Sequence, residues 1–375
     1  MSEQKIIWLD GDYTEIEQYI TERKIRKVFL VCDGAFDFLN IAHSVDALEQ
    51  KGIKIVKFTG FTPNPRYEEV VAGVDLFRKE NCEMILAIGG GSAIDVAKCV
   101  KLYSNMDVTR NYLEQTIVPN KIPFVAMPTT AGTGSEATRY AVIYYNGEKQ
   151  SVTHESCIPE VVLMDSSVLQ TLPLYQKKAT MLDALCHAIE SFWSVNSTES
   201  SRAYSAQAIS RILNNVEAYL QNEEKGCREM LIAANIAGKA INITQTTAGH
   251  AMCYKLTSLY GIAHGHAAAL CVAVLWPYML QNADKCIDPR GSGHLETVWK
   301  EIAVAMGKST SEQAVEVYLQ LLNSLELEIP EMNEEDYFLL KKSVNPVRLK
   351  NNPVELTEES IEKLYRSIAE MRGKR

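Results

Sequence analysis

Apolar residues in the first part of the chain come in short runs separated by helical repeats. The runs at 27–32 (Lys-Val-Phe-Leu-Val-Cys), 53–58, 84–88 and 123–127 have the length and texture of buried strands. After Pro63-Asn64-Pro65, the positions Tyr67, Val70, Val71, Val74 and Phe77 keep a helical period, and 93–103 predicts a further helix. Strands alternating with helices predict an open, mostly parallel α/β sheet. From residue 140 the pattern changes: 140–145 and 150–153 flank Asn146-Gly147, a strong hairpin turn, and 161–165 predicts another strand. After about residue 178 strand signals fade and helical patterns dominate, among them 200–220, 228–247 and 357–371. The expected architecture is a Rossmann-like α/β N-terminal domain over 1–178 and an all-α C-terminal domain over 179–375.

Composition narrows the function classes. Of 375 residues, 46% are hydrophobic and 23% charged, enough for sizeable cores. A net charge of −9 argues against broad nucleic-acid binding, which needs a basic face. No run is long and apolar enough to predict a membrane span. Met1-Ser-Glu-Gln-Lys5 lacks the apolar core of a signal peptide. Nine scattered cysteines, an odd number without a Cys-x-x-Cys pair, read as reduced buried thiols, so a cytoplasmic protein is expected.

Two loops after predicted strands carry candidate binding chemistry. Gly89-Gly-Gly-Ser-Ala-Ile-Asp-Val-Ala-Lys98 sits at a strand-to-helix junction, where Gly90, Gly91 and Ser92 let backbone amides approach a pyrophosphate. Asp95 of this loop is a further candidate for cofactor contact; Ser92 and Asp95 also have the spacing of a capping box, and a plain capped turn is the competing reading. Pro128-Thr-Thr-Ala-Gly-Thr-Gly-Ser-Glu-Ala-Thr138 offers Thr129, Thr130 and Thr138 for ribose, phosphate or nicotinamide contacts. Both loops are expected at the C-terminal ends of parallel strands, where ligands bind in such sheets. Asp33, ending the first run, suits a ribose hydroxyl and would repel a 2′-phosphate, which favours NAD over NADP.

Met181-Leu-Asp-Ala-Leu-Cys-His-Ala-Ile-Glu190 places Asp183 and His187 one turn apart on a helix that is otherwise mostly apolar. With His250 and His264 they give one carboxylate and three imidazoles, a set that suits Fe(II) or Zn(II) with a position open for substrate. A histidine in an apolar segment is as readily a core residue, and spacing alone leaves both readings open.

These motifs together resemble the iron-containing, or group III metal-dependent, alcohol dehydrogenases over nearly the whole chain. The resemblance rests on the 89–98 loop, the 128–136 loop, the Asp183–Glu190 segment and the His250 to His264 segment. It implies a dehydroquinate synthase-like fold with a cleft between the domains, and a metal held by Asp183, His187, His250 and His264. It also places Asp33, Asn64, Gly90, Gly91, Ser92, Thr129, Thr130, Thr138 and Lys149 around NAD(H). The implied reaction is interconversion of a small aldehyde and its alcohol, and a homodimer is the default assembly.

One position departs from the commoner pattern. Where many members carry a further histidine four residues after the third ligand, this chain has Tyr254, followed by Lys255. The hydroxyl of Tyr254 is a candidate for proton transfer, and Lys255 with Arg139 for an anionic substrate group. The segment 254–266 resembles the branch associated with phosphonate metabolism, which implies reduction of phosphonoacetaldehyde to 2-hydroxyethylphosphonate. Sulfoacetaldehyde and lactaldehyde are the rival substrates. A dehydroquinate synthase-like lyase and a non-catalytic scaffold are the rival classes, the first disfavoured by few basic residues in the motifs and the second by intact ligands and loops.

Overall fold

The structure, a computed structural model, describes residues 4–9 and 11–374, with side chains to Arg372. The chain forms two compact units. One runs to Thr130 and resumes over Gly134–Leu172; the other comprises Ala131–Thr133 and the chain from Pro173.

The first unit holds every strand of the described residues: β1 (Lys5–Trp8), β2 (Lys27–Cys32), β3 (Lys54–Phe58), β4 (Met84–Gly89), β5 (Phe124–Pro128), β6 (Tyr140–Tyr145), β7 (Glu148–Thr153) and β8 (Val161–Met164). Its helices are α1 (Thr14–Glu22), α2 (Ile41–Gln50), α3 (Tyr67–Lys79) and α4 (Gly91–Tyr103). Six strands make one parallel sheet in the order β1-β8-β5-β4-β2-β3. Every residue of β4, β5 and β8 is buried, which is why these strands read as unbroken apolar runs rather than alternating ones. Phe29 of β2 stacks on Phe58 of β3 and meets Phe77 of α3 edge-on, with centroids 5.8 and 5.5 Å apart.

β6 and β7 form a separate antiparallel hairpin in which Tyr145 pairs with Glu148. Asn146 and Gly147 both have positive φ, 51° and 77°, as a type I′ turn requires. The hairpin is tied to α4 by Asp95, whose Oδ2 accepts from Val142 N at 2.9 Å and whose Oδ1 accepts from Ser135 Oγ at 2.6 Å. The expected Ser92–Asp95 capping box is therefore absent. Gly90 is the N-cap of α4, Ser92 Oγ accepts from Asn64 N at 3.3 Å, and Asp95 points into the hairpin.

The second unit is helical: α5 (Leu174–Trp193), α6 (Glu199–Leu220), α7 (Glu224–Thr244), α8 (Ala248–Tyr260), α9 (His264–Gln281), α10 (Ser292–Ala305), α11 (Ser311–Ser324), α12 (Glu334–Ser343), α13 (Pro346–Leu349) and α14 (Glu358–Glu370). From Met181 to Trp193 every residue of α5 is buried, so it is a core helix packed all round rather than an amphipathic surface one. α9 crosses it closely because Gly265 has no side chain. A Cβ there would lie 2.1 Å from Ala179 O and 2.5 Å from Asp183 Cβ. No described helix is long and apolar enough to cross a membrane. Eight of the nine cysteines are buried, Cys286 is partly so, and none forms a disulfide.

Candidate active site

In the first unit, the sheet order brings two loops together. From β2 the chain moves outward to β3, then returns to β4 on the other side of β2 and continues to β5. The crevice beyond β2 and β4 is a topological switch point, the usual ligand position in such sheets. Asp33 follows β2, with Oδ1 accepting from Ala35 N at 2.9 Å. Gly89 ends β4 beside it: a Cβ at Gly89 would lie 3.5 Å from Asp33 Oδ2 and only 2.6 Å from Ala93 Cβ, so glycine permits the close strand-to-helix turn. A Cβ at Gly90 would lie 3.5 Å from Thr130, and Thr129 N donates to Gly89 O at 3.0 Å. Asn64, with φ 58°, meets Ser92 through its backbone. Asp33, Asn64, Gly90, Gly91, Ser92, Thr129 and Thr130 thus gather around the start of α4, whose first amides have no partner within the helix and suit an anion.

Other expected residues take different places. Asp95 has both oxygens engaged inside the protein, which corrects the expectation that it contacts a cofactor. Burial raises its pKa although the Lys98 charge opposes that. Thr138 is buried and accepts from Lys98 Nζ at 3.1 Å. Lys149 lies on β7 opposite Tyr144. Arg139 is corrected as well: its Nη1 pairs with Glu155 at 2.6 Å and its Nε donates to Tyr140 OH at 3.2 Å, so its charge is already matched.

The second unit assembles the acid and histidines. Asp183 and His187 project from α5, and His250 from the first turn of α8. One donor atom from each of the three lies within 4.8 Å of the others, and all three residues are buried. His250 Nε2 is 3.4 Å from Asp183 Oδ1, and the rings of His187 and His250 stack with centroids 4.4 Å apart. His264, the first residue of α9, stands at the edge of this cluster with its ring 5.4 Å from that of His250. It is less buried than the other three and lies 3.5 Å from Cys253 Sγ through Nδ1.

Glu190 orders this arrangement, and its role was not assigned from the sequence. Its carboxylate accepts from Thr247 N at 2.7 Å, Thr247 Oγ1 at 2.6 Å and His250 N at 3.0 Å, which caps the start of α8. The same carboxylate meets His250 Nδ1 at 2.5 Å. Gly249 makes room for it, because a Cβ there would fall 2.6 Å from Glu190 Oε1. With Nδ1–H held by Glu190, Nε2 is the ring nitrogen that faces Asp183, and it is the one that would give up its proton to take an ion. Glu190 lies seven residues after Asp183, two turns along the same helix, which is the signal that could have revealed it.

Charge states follow from these contacts. Burial pushes the His187 imidazole down to about 4, against the opposing charge of Asp183, so it is neutral near pH 7. Burial also works against a charged His250, but the carboxylates of Glu190 and Asp183 outweigh it and push its pKa up to about 9. Asp183 is held well below the usual carboxylate range, because the histidines overcome its burial. His187 Nδ1 is buried without a hydrogen-bond partner. An ionised carboxylate, neighbouring imidazoles and an unsatisfied ring nitrogen form a donor set that fits a divalent ion.

The side of this cluster where His264 stands contains a residue that sequence reasoning missed. Arg348 of α13 donates through Nη1 to Tyr254 OH at 2.6 Å. Tyr254 in turn stacks on His264, with centroids 5.2 Å apart and planes 25° from parallel. Lys255 follows on α8, half-buried. A short helix whose residues are otherwise unremarkable offers no pattern from which Arg348 could have been singled out.

Comparisons with known proteins point to one family. Residues 3–166 match the family described as iron-containing alcohol dehydrogenase, and 177–369 match the Fe-containing alcohol dehydrogenase family, C-terminal. Alcohol dehydrogenase 4 of Saccharomyces cerevisiae is 30% identical over 369 residues, covering 94% of this chain and 93% of that protein. The 1,3-propanediol dehydrogenase of Citrobacter freundii is 32% identical over 282 residues, covering 72% and 69%. Among solved structures, sulfoacetaldehyde reductase from Bifidobacterium kashiwanohense in complex with NAD+ is 26% identical with a TM-score of 0.85, covering 98% of this chain and 97% of that one. Alcohol dehydrogenase from Oenococcus oeni is 25% identical with a TM-score of 0.87, covering 97% and 98%.

Proposed function

The chain belongs to the iron-containing alcohol dehydrogenase family of oxidoreductases acting on CH–OH groups, and from that premise we propose that it reduces a short anionic aldehyde with NADH at a divalent metal. The observation that carries the reading is the buried cluster of Asp183, His187 and His250, with Glu190 fixing the last of these. Asp183, His187, His250 and His264 would hold Fe(II) or Zn(II), both of which suit these donors. When bound, the ion supplies a Lewis acid to the aldehyde oxygen and the reduced nicotinamide supplies hydride to the carbonyl carbon.

The protein's own residues prepare that chemistry. Glu190 holds the proton on His250 Nδ1 and so keeps Nε2 available as a ligand. Burial of Asp183, His187 and His250 keeps water from their donor atoms. The Tyr254 hydroxyl, which accepts from Arg348, would hold the proton that the product oxygen takes. In the other unit, Asp33 would accept from ribose hydroxyls and its charge disfavours a 2′-phosphate, which supports NAD over NADP. Asn64, Gly90, Gly91, Ser92, Thr129 and Thr130 would surround the cofactor phosphates and amide, with Thr138 and Lys149 behind them.

The substrate proposed is phosphonoacetaldehyde, giving 2-hydroxyethylphosphonate, and it rests on the cations beside Tyr254. Sulfoacetaldehyde is the second reading, favoured by the structural likeness to a reductase of that aldehyde. The test is NADH oxidation by protein reconstituted with Fe(II) or Zn(II), across phosphonoacetaldehyde, sulfoacetaldehyde, lactaldehyde and propionaldehyde. The kcat/KM for phosphonoacetaldehyde is expected to exceed that for propionaldehyde by about tenfold or more, the scale of one charge-assisted contact. Equal constants for charged and neutral aldehydes would remove the anionic preference, and no NADH oxidation with any of them would remove the reductase reading.

Glu190→Gln tests the metal side separately. The amide cannot both accept from the backbone and neutralise His250 as a carboxylate does. Metal affinity, measured by competition with a chelator, is expected to fall by about 10- to 100-fold while the helical fold persists. Unchanged affinity would mean that Glu190 serves only as a helix cap.

A further inference from the structure

Of the two cations expected from sequence to receive an anionic group, Arg139 is neutralised by Glu155. The structure supplies another. The guanidinium carbon of Arg348 is 4.9 Å from the Tyr254 ring centroid, and Nη1 donates to the hydroxyl of that ring. Tyr254 stacks on His264, whose ring is 5.4 Å from His250. Arg348 is thus one aromatic ring removed from the imidazole at the margin of the acid–histidine cluster.

Its charge state of affairs is unlike that of many other arginines here. Arg66 pairs with Glu69, Arg290 with Asp288, and Arg366 with Glu334 and Glu362. No carboxylate among the described residues pairs with Arg348, which is half-buried. A guanidinium has five N–H donors in one plane, and the tyrosine takes one of them. The rest suit the oxygens of a phosphonate or sulfonate, which a planar fork can engage bidentately.

The segment that carries Arg348 is also held in place. Asn345 caps α13 by accepting from Val347 N at 2.9 Å. Just beyond it, Asn351 donates to Gln245 Oε1 at 3.1 Å and to Thr246 O at 3.2 Å, which stitches the segment to the turn before α8. A cation fixed from both sides loses little side-chain freedom on binding, so more of its attraction is expressed as affinity.

We propose that Arg348, steadied by Tyr254, receives the anionic group of the substrate and sets the preference for charged over neutral short aldehydes. This rests on the reading of the protein as an aldehyde reductase and adds the residue that selects the substrate. An aldehyde whose oxygen sits at the acid–histidine cluster would meet Arg348 only with its anionic group turned to the side of His264 and Tyr254. Without the anion, the same aldehyde gains nothing from the guanidinium.

The test compares Arg348→Ala with the wild-type holoenzyme on phosphonoacetaldehyde and propionaldehyde, and pairs it with calorimetric titration of methylphosphonate into the metal-free protein. The KM for phosphonoacetaldehyde is expected to rise roughly 10- to 150-fold, well beyond any loss in kcat/KM for propionaldehyde, which reads only what Arg348 does for the Tyr254 hydroxyl. The KM for NADH stays unchanged, methylphosphonate binding is lost, Arg348→Lys recovers part of the loss, and Tyr254→Phe falls between. Equal losses on charged and neutral aldehydes would reduce Arg348 to a pin between α13 and α8. A raised KM for NADH would assign it to the cofactor instead. Failure of the wild type to bind methylphosphonate would overturn the proposal outright. If no aldehyde is turned over, the reductase reading fails on its own, and Arg348-dependent methylphosphonate binding still decides whether the anion site exists.

Discussion

Asp183→Ala is expected to yield a folded protein that no longer retains its divalent ion and reduces aldehydes on the order of 10³-fold more slowly. Asp183 is the one carboxylate in the buried donor set, and it lies within reach of His250 at 3.4 Å. Its charge is what makes a cluster of imidazoles attractive to a cation. Lewis-acid stabilisation of a developing alkoxide supplies several kcal/mol, so its loss corresponds to roughly a thousandfold in rate. Alanine keeps the Cβ that packs beside Gly265 of α9 and introduces no clash. The measurement is metal content after gel filtration, together with the rise in Tm on adding Fe(II) or Zn(II). Wild-type protein should be stabilised by the metal and the variant should not, because a ligand stabilises only the state that binds it. A variant that keeps stoichiometric metal would sink the assignment.

Gly265→Ala is expected to be nearly as damaging although it removes no functional group. The new Cβ would stand 2.1 Å from Ala179 O and 2.5 Å from Asp183 Cβ, and the first of these is backbone that cannot swing aside. α9 must therefore move off α5, and His264 at its first residue moves with it. Overpacking of this kind costs about 1–3 kcal/mol, sometimes more. At about 2–4 °C per kcal/mol for a unit of this size, Tm should fall by about 2–12 °C. Metal affinity should fall in parallel, since His264 and Asp183 are displaced relative to one another. A variant with unchanged Tm and metal content would show that α9 can retreat without cost. Alanine is the better helix former, so any loss of stability on Gly265→Ala comes from the clash and not from helix propensity.

Much of this architecture was legible because parallel strands buried on both faces leave apolar runs that little else imitates. β2, β4 and β5 fall where those runs lie, and Asn146-Gly147 marked the hairpin. β1 was not recognised, being four residues at a sheet edge with Lys5 and Ile6 exposed. α1 and α2 were not recognised either, because each is short and presents only a narrow apolar stripe. The capping box failed for a local reason: Gly90 already serves as the N-cap, which leaves Ser92 and Asp95 free to bond elsewhere. The acid–histidine cluster could be read from spacing within α5, but the pairing of α5 with α8 and α9 is tertiary. Arg348 lay beyond any such reading, since only the path of the chain after α12 brings it to Tyr254.

The double engagement of Glu190 has a consequence for how this protein can change. One carboxylate both starts a helix and sets the proton on an imidazole of the cluster. A substitution that altered the imidazole's basicity would also unsettle the first turn of α8, and one that relaxed the turn would alter the imidazole. Neither property can be adjusted by itself through position 190. Engineering of a different metal preference is therefore better directed to the margin, at His264 and its neighbour Cys253, where the side chains touch the cluster without supporting a helix start. The centre of the site is tied to a helix start, and its edge is not.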